Sequence, residues 1–352
     1  MKIDVGTNVV LVTGAMGWLG RGLVHALVNG LADCPLLAKP QTNLNIRALV
    51  LPEQDTAELK QLSERIDVIK GDLRCHKDCE RFCAGAKGAV LFHTAGIIHP
   101  KRVREFYEIN VEGTRNILQA AVTAGVRRVV AVSSNSPCGC NPHPDHLFDE
   151  DSPYNPYMNY GRSKMMLELV VKDRQRAGDI ETVIIRPPWF YGPFQPSRQT
   201  LFIRMIRDGK MPIVGSGNNL RSMAYIDNLC QGLLLAAITV QAAGQSYWIA
   251  DERPYSMNEV VDTVERLLET EFGITVAHKR LRLPFIAGEV ATVADRVLQS
   301  LGLYEQKIHV LSEMNKTIAC TVAKAQRELR YAPVITLEEG MRRSIRWVRL
   351  GL

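Results

Sequence analysis

The sequence predicts a doubly wound α/β fold, in which helices cover both faces of a parallel sheet and a smaller, mainly helical domain is appended. Three observations carry that prediction. Short, nearly all-apolar runs alternate with helically spaced apolar residues from about residue 8 to residue 186. The first apolar run ends in the glycine-rich turn TGAMGWLG, residues 13–20. After Arg186 the alternation stops, PPWFYGPFQPSRQT is proline-rich, and residues 255–352 read as mainly helical.

Taken in order, the strands are NVVLVT (8–13), NIRALVL (45–51), IDVIK (66–70), GAVLFH (88–93), RRVVAVS (127–133) and ETVIIR (181–186). Helices are expected between them near 18–30, 56–64, 76–84, 101–124 and 157–177. LADCPLLAKPQTNLN, between the first helix and the second strand, is about a dozen residues longer than such a connection needs, and reads as a surface insertion. Residues 1–186, with a return segment near 222–250, are expected to form one domain. Residues 187–221 and 251–352 would form a discontinuous second domain over the carboxyl edge of the sheet, where open α/β folds bind ligands.

The bulk composition is that of an ordinary globular chain: 46% hydrophobic and 23% charged over 352 residues. The formal charge of +6 is modest, and Arg342, Arg343, Arg346 and Arg349 supply part of it as the polar face of a final helix. Nucleic-acid binding would want a denser basic stripe. The N-terminal stretch lacks a signal-peptide pattern and no segment has the ~18 apolar residues of a membrane span, so a cytoplasmic protein is expected. Eight cysteines in a chain of this length are not a disulfide framework. Cys75, Cys79 and Cys83 beside His76 could hold a metal, but they read better as one side of a short helix, and no metal is expected.

Gly14, Gly17 and Gly20 stand at the first strand-to-helix turn. Glycine there permits the sharp turn, lets backbone approach a pyrophosphate, and lets helix pack closely on strand, while the helix N-terminus offers free N–H groups to the phosphates. A dinucleotide site follows, with Met16, Trp18 and Leu19 on the same turn. Tyr160 and Lys164, in NYGRSK, lie four apart and share one helix face. Chance supplies about 0.4 such spacings in a chain of ten tyrosines and fourteen lysines, so the pair alone proves nothing.

Context changes this. GxxGxxG, GDL (71–73), HTAG (93–96), INVEGT (109–114), VSSNS (132–136), the Tyr/Lys pair and RPPWFYGP (186–193) occur in an order that resembles the extended short-chain dehydrogenase/reductase family, of the NAD-dependent epimerase/dehydratase type. KAQRELRYAP and LEEGMRRSIRW extend the resemblance to about residue 347. It implies a Rossmann fold, Tyr160 as acid/base, Lys164 as its activator and ribose anchor, and Ser134 holding the reacting oxygen. It also implies that Asp72 and Leu73 flank the adenine, that Thr94, Ala95, Gly96 and Ser133 line the cofactor, and that Pro187 sits by the nicotinamide. Asn110 would steady the central helix, although a plain polar helix residue reads nearly as well. Physically, a tyrosine of ordinary pKa ~10 can serve as a base only if a neighbouring cation favours its phenolate, which is the part a lysine one turn away can play.

Departures from the family pattern limit the reaction. The second strand ends at Leu51, neither the acid of an NAD enzyme nor the arginine of an NADP enzyme; Glu53 and Asp55 nearby favour NAD, and NADP stays open. Where dehydratases of the family carry Asp-Glu after the serine, this chain has Asn135 and Ser136, which cannot do carboxylate work. That leaves epimerases and simple dehydrogenases. VGSGNNLRSMAYIDNL resembles the nucleotide-sugar enzymes, with Arg221 at a diphosphate-contacting position, whereas LPFIAGEVATVADRVL (283–298) and HTAGII look more like the hydroxysteroid dehydrogenase branch. Read plainly, 283–298 is an apolar helix that could line a greasy pocket but is mostly core. A nucleotide-sugar epimerase is the favoured expectation, with Ser134, Asn135, Ser136, Tyr160 and Arg221 on the substrate side. A dehydrogenase of a hydrophobic alcohol is the alternative, and a non-catalytic cofactor-binding sensor ranks last. Relatives of this type commonly form homodimers through helices matching 101–124 and 157–177.

Overall fold

A computed structural model describes residues 7–40 and 42–349. The first half alternates strand and helix: β1 (Val9–Thr13), α1 (Trp18–Asn29), β2 (Asn45–Val50), α2 (Ala57–Leu62), β3 (Ile66–Lys70), α3 (His76–Cys83) and β4 (Val90–His93). Then come α4 (Arg104–Tyr107), a π-helical turn (Glu108–Glu112), α5 (Gly113–Thr123), β5 (Arg128–Val132), α6 (Met158–Ala177) and β6 (Glu181–Arg186). The remainder comprises β7 (Trp189–Tyr191), α7 (Ser197–Arg207), β8 (Pro212–Val214), β9 (Leu220–Arg221), β10 (Met223–Tyr225), α8 (Ile226–Ile238), β11 (Ser246–Trp248) and β12 (Tyr255–Ser256). Last are α9 (Met257–Thr270), β13 (Leu281–Leu283), α10 (Ile286–Ser300), α11 (Gln306–Glu313), α12 (Ala323–Leu329) and α13 (Leu337–Arg349).

Seven strands form one sheet in the order β11-β6-β5-β4-β1-β2-β3, with every neighbouring pair parallel. The strands are apolar because both faces are covered. Along β1, Val10 and Val12 enter one core layer and Leu11 the other, the two-residue alternation of a pleated strand. The chain leaves β1 for β2 on one side and returns to β4 on the other, so a crevice opens at the carboxyl ends of β1 and β4. Among the described residues no helix is long and apolar enough to cross a membrane.

Three sequence expectations change. The helix expected over 101–124 is broken, with a π-helical turn at Glu108–Glu112 between α4 and α5. The insertion before β2 is not merely superficial: Leu31, Cys34, Leu37 and Leu44 are buried and anchor it to the core beside α1. The stretch 283–298 is not mostly core either, since Phe285, Ile286, Val290, Val293 and Val297 are all exposed. The basic C-terminal residues are in part neutralised, Arg342 by Glu271 and Arg343 by Asp33, at 2.6 and 2.7 Å. On α3, Cys79 and Cys83 are buried, with burial pushing both thiols up to about 12. Among the described residues no cluster of three potential metal ligands forms.

α6 is fastened to the sheet by a buried carboxylate. Glu168 has no exposure and accepts from Ser133 Oγ at the end of β5 (2.7 Å), from Tyr154 Oη (2.7 Å), and from Arg186 Nη2 at the end of β6 (2.7 Å). Removing one partner would leave the other's charge buried and uncompensated. Glu168→Ala is therefore expected to lose about 3–5 kcal/mol of unfolding free energy in chemical denaturation, and Glu168→Met/Arg186→Met to lose less than Glu168→Ala. A Glu168→Ala protein as stable as the wild type would contradict this.

Candidate active site

The glycine turn is built so tightly that side chains would fill it. Gly14 has φ +68°, and a Cβ there would lie 2.7 Å from the Cα of Ala95; one on Gly20 would lie 2.0 Å from the carbonyl oxygen of Gly14. Gly17 caps α1 without any side chain, leaving the helix N-terminus bare, and Leu19 turns into the core. Met16 packs partly buried against the same core, while the Trp18 indole donates to the carbonyl of Pro193 at 2.7 Å and rests on Phe190. These features fit a dinucleotide pyrophosphate approaching backbone N–H groups, at the crevice between β1 and β4. Among the residues expected beside the adenine, Asp72 pairs with Arg74 (2.6 Å) and Leu73 is buried, and Leu51 at the end of β2 is exposed.

At the end of β4 a chain of polar groups fixes the backbone. His93 is buried between Thr13 Oγ1 (2.8 Å) and Thr114 Oγ1 (2.9 Å), and burial together with the nearby Lys164 charge holds its imidazole down to about 3, hence neutral. The Thr94 hydroxyl donates to the carbonyl of Thr13 (2.7 Å), so it serves the strand junction. Asn110, in the π-helical turn, accepts from the Ile97 amide (2.8 Å) and donates to the Ile97 carbonyl and to Ser163 Oγ (both 3.1 Å). A π-turn re-aims one residue of a helix, and here it points Asn110 at the loop after β4. A Cβ on Gly96 would lie 3.1 Å from both Asn110 Oδ1 and Lys164 Nζ, so the lysine head, the asparagine and the cofactor-side backbone converge there.

Lys164 is buried and donates to the carbonyl of Val132 at 3.0 Å; burial pushes its ammonium down to about 8. Tyr160 stands one turn earlier on α6, half-buried, its ring 5.7 Å from that of Phe106. Ser134, just past β5, is buried with its Oγ 3.3 Å from Asn135 Oδ1 and from Ser136 Oγ. The Asn135 amide donates to the carbonyl of Pro187 (3.2 Å), which joins the β5 and β6 ends. Ser133 is different: its hydroxyl is taken by Glu168 and its amide by Ile185, so its side chain serves the core.

Arg221, on β9, donates to the backbone carbonyl of Glu313 at the end of α11. Tyr157, at the start of α6, meets the same end of α11 through Ser312 Oγ (2.7 Å). A second link runs from His309 to Asp295 (2.7 Å), from Asp295 to Gln299 (2.9 Å), and from Gln299 to Asn159 (3.0 Å), the residue before Tyr160. Sequence reading missed these positioning groups. Two signals were present: Glu168 follows Lys164 at helical spacing, and Asp295 and Gln299 stand four apart inside an otherwise apolar helix.

A parallel sheet with a glycine turn at its switch point, and a Tyr/Lys pair on the helix after β5, define a dinucleotide-dependent oxidoreductase. The family model for the NAD dependent epimerase/dehydratase family matches residues 10–250, and the chain belongs to that family. It is 54% identical over 346 residues to the uncharacterised protein y4nL of Sinorhizobium fredii, covering 98% of this chain and 96% of the relative. It is 28% identical over 368 residues to 3beta-hydroxysteroid-dehydrogenase/decarboxylase isoform 1 of Arabidopsis thaliana (98% and 80% covered). It is 27% identical over 343 residues to N-acetyl-alpha-D-glucosaminyl-diphospho-ditrans,octacis-undecaprenol 4-epimerase of Escherichia coli O157:H7 (96% and 94% covered). Among solved structures, dTDP-glucose 4,6-dehydratase of Streptomyces venezuelae, with NAD and TYD bound, superposes with a TM-score of 0.73 at 26% identity, covering 97% of each chain.

The state of Lys164 has a measurable consequence. The folded chain releases this proton near pH 8, whereas the unfolded chain keeps it to about 10.4. Burying the charge costs stability below pH 8, and the cost is relieved as pH rises from about 8 towards 10. In cofactor-free protein, wild-type stability is expected to rise relative to Lys164→Met over that window by about 2–3 kcal/mol in chemical denaturation. Parallel pH profiles would contradict it.

Proposed function

We propose that the protein interconverts a secondary alcohol and a ketone, with Tyr160 as acid/base, Lys164 as its cationic neighbour and Ser134 as the group that holds the reacting oxygen. The observation that carries this is the convergence of Lys164 and Asn110 on Gly96 at the carboxyl edge of the sheet, with Tyr160 one turn away on the same helix. NAD, held by the turn at Gly14, Gly17 and Gly20 and by Lys164, supplies the hydride acceptor when bound. The chain does the rest. Tyr160 takes or returns the hydroxyl proton, and the Lys164 ammonium favours its phenolate. Ser134 is steadied by Asn135 and Ser136 so that its hydroxyl can meet the substrate oxygen. Neither neighbour is a carboxylate, which argues against elimination of water or of carbon dioxide.

For the substrate, the leading reading is epimerisation of a sugar carried on a diphosphate. Arg221 would meet the diphosphate, and the E. coli relative is named for a sugar of that kind on undecaprenol. The second reading, dehydrogenation of a hydrophobic alcohol, is favoured by the exposed apolar side of α10 and by the Arabidopsis relative. A homodimer through α4–α5 and α6 is part of the proposal, checked by light scattering.

Protein purified without added cofactor and then denatured should release bound NAD if it epimerises, and should turn over sugar nucleotides unsupplemented. A dehydrogenase would need cofactor added for every turnover. Under either reading Tyr160→Phe is expected to keep cofactor binding and lose about 100-fold or more in turnover. Unchanged turnover in that variant would overturn the proposal.

A further inference from the structure

α10 has its polarity reversed. The side facing the protein carries Gly288, Ala291, Asp295 and Gln299, all buried. At 100° per residue, Ile286, Val290, Val293 and Val297 fall within an arc of about 60° on the opposite side. They are 65%, 62%, 59% and 54% exposed. Phe285 before the helix and Leu301 and Leu303 after it are exposed as well, so the strip runs past both ends of α10. A helix on a globular surface ordinarily turns its polar side outwards; a continuous apolar strip in that place marks a surface that meets something.

The rim of the strip says what. Lys101, Arg102, Arg282, Arg296 and Lys307 are exposed and form no ion pair with any described residue. Lys101 and Arg102 are drawn to the end of the strip by the bond from the Val103 amide to the Gly302 carbonyl (3.1 Å) and the bridge between Arg102 and Leu303. Of the nearby carboxylates, Asp295 is buried on His309 and Glu289 pairs with Lys316; Glu305, which caps α11, and Glu105, which accepts from the Arg102 amide, form no ion pair with a described residue, so the five cations outnumber the free acids. Apolar side chains framed by unpaired cations are complementary to the surface of an anionic bilayer, with headgroup phosphates at the rim and acyl chains beneath.

We infer that α10 is a membrane-docking face that lies in the headgroup plane of an anionic lipid bilayer. The inference stands on α10 and its rim, and holds under either substrate reading. Its position relative to the site gives it a use: beyond Leu303 comes Tyr304, whose ring packs edge-on against Phe106 at 5.4 Å, and Phe106 packs on Tyr160. A substrate held in the membrane by an apolar tail would reach Tyr160 from the docked side.

The test is co-sedimentation of the full chain with phosphatidylcholine vesicles, with and without phosphatidylglycerol. Wild type is expected to bind the anionic vesicles, less so as salt is raised, and at least about 10-fold more tightly than the neutral ones. Val290→Asp/Val293→Asp/Val297→Asp is expected to lose about 100-fold in binding with an unchanged melting temperature. Should that variant unfold, Phe285→Ser/Leu301→Ser, outside the helix, gives the same readout. Arg296→Glu/Lys307→Glu should lose the preference for anionic lipid and little else. Wild type that ignores vesicles, or a triple variant that binds like wild type, overturns the inference. So does light scattering in which the triple variant merely converts a dimer into a monomer, which would assign the face to a second copy of the chain.

Discussion

The fully buried carboxylate of Glu168 fixes the helix that carries the candidate catalytic pair. It gathers Ser133 from β5, Arg186 from β6 and Tyr154 from the loop before α6, so the helix cannot slide or roll without stranding a charge in the core. Lys164 lies one turn back along the same helix, and its head reaches the carbonyl of Val132. Ser134 is the next residue after the Ser133 that Glu168 holds. The candidate catalytic groups are thus placed by a contact that none of them makes.

The electrostatics of the crevice follow from burial. Lys164 keeps its charge near neutral pH although burial works against it, while His93, just beneath, is held neutral between two threonines. A neutral imidazole there adds no second cation beside the lysine, and its two hydrogen bonds tie β1 to α5 across the switch point. Asn110 then clamps the loop after β4, which leaves Gly96 with no room for a side chain between asparagine and lysine. Where phosphate, ribose and a reacting carbon must be held at once, backbone and short side chains do the holding, and the rigid sheet edge supplies the positions.

Most of this architecture was legible in the chain, because parallel strands buried on both faces announce themselves as unbroken apolar runs and glycines mark the turn. The misreadings share a cause: they concern which way a segment faces. Val290, Val293 and Val297 have the spacing of a core-facing helix, and composition cannot tell that the face opposite them, with Asp295 and Gln299, is the one that packs. The leucines at 31, 37 and 44 looked like a surface excursion because an irregular loop has no period from which a buried side can be read. The π-turn at Glu108–Glu112 adds no recognisable residue pattern, and only the target of Asn110 gives it a reason. Glu168 was passed over because a glutamate on a helix is normally solvated, and its partners come from three other segments.

On the proposed function, α6 is pinned so that Tyr160 and Lys164 face a dinucleotide at the carboxyl edge of the sheet. A crystal structure of the protein grown with NAD tests this most directly. The pyrophosphate is expected on the turn at Gly14, Gly17 and Gly20, with the nicotinamide ribose within about 3 Å of Lys164 Nζ and the Tyr160 hydroxyl facing the nicotinamide. A dinucleotide bound elsewhere, or one whose nicotinamide lies away from α6 while Lys164 remains on the Val132 carbonyl alone, would contradict it.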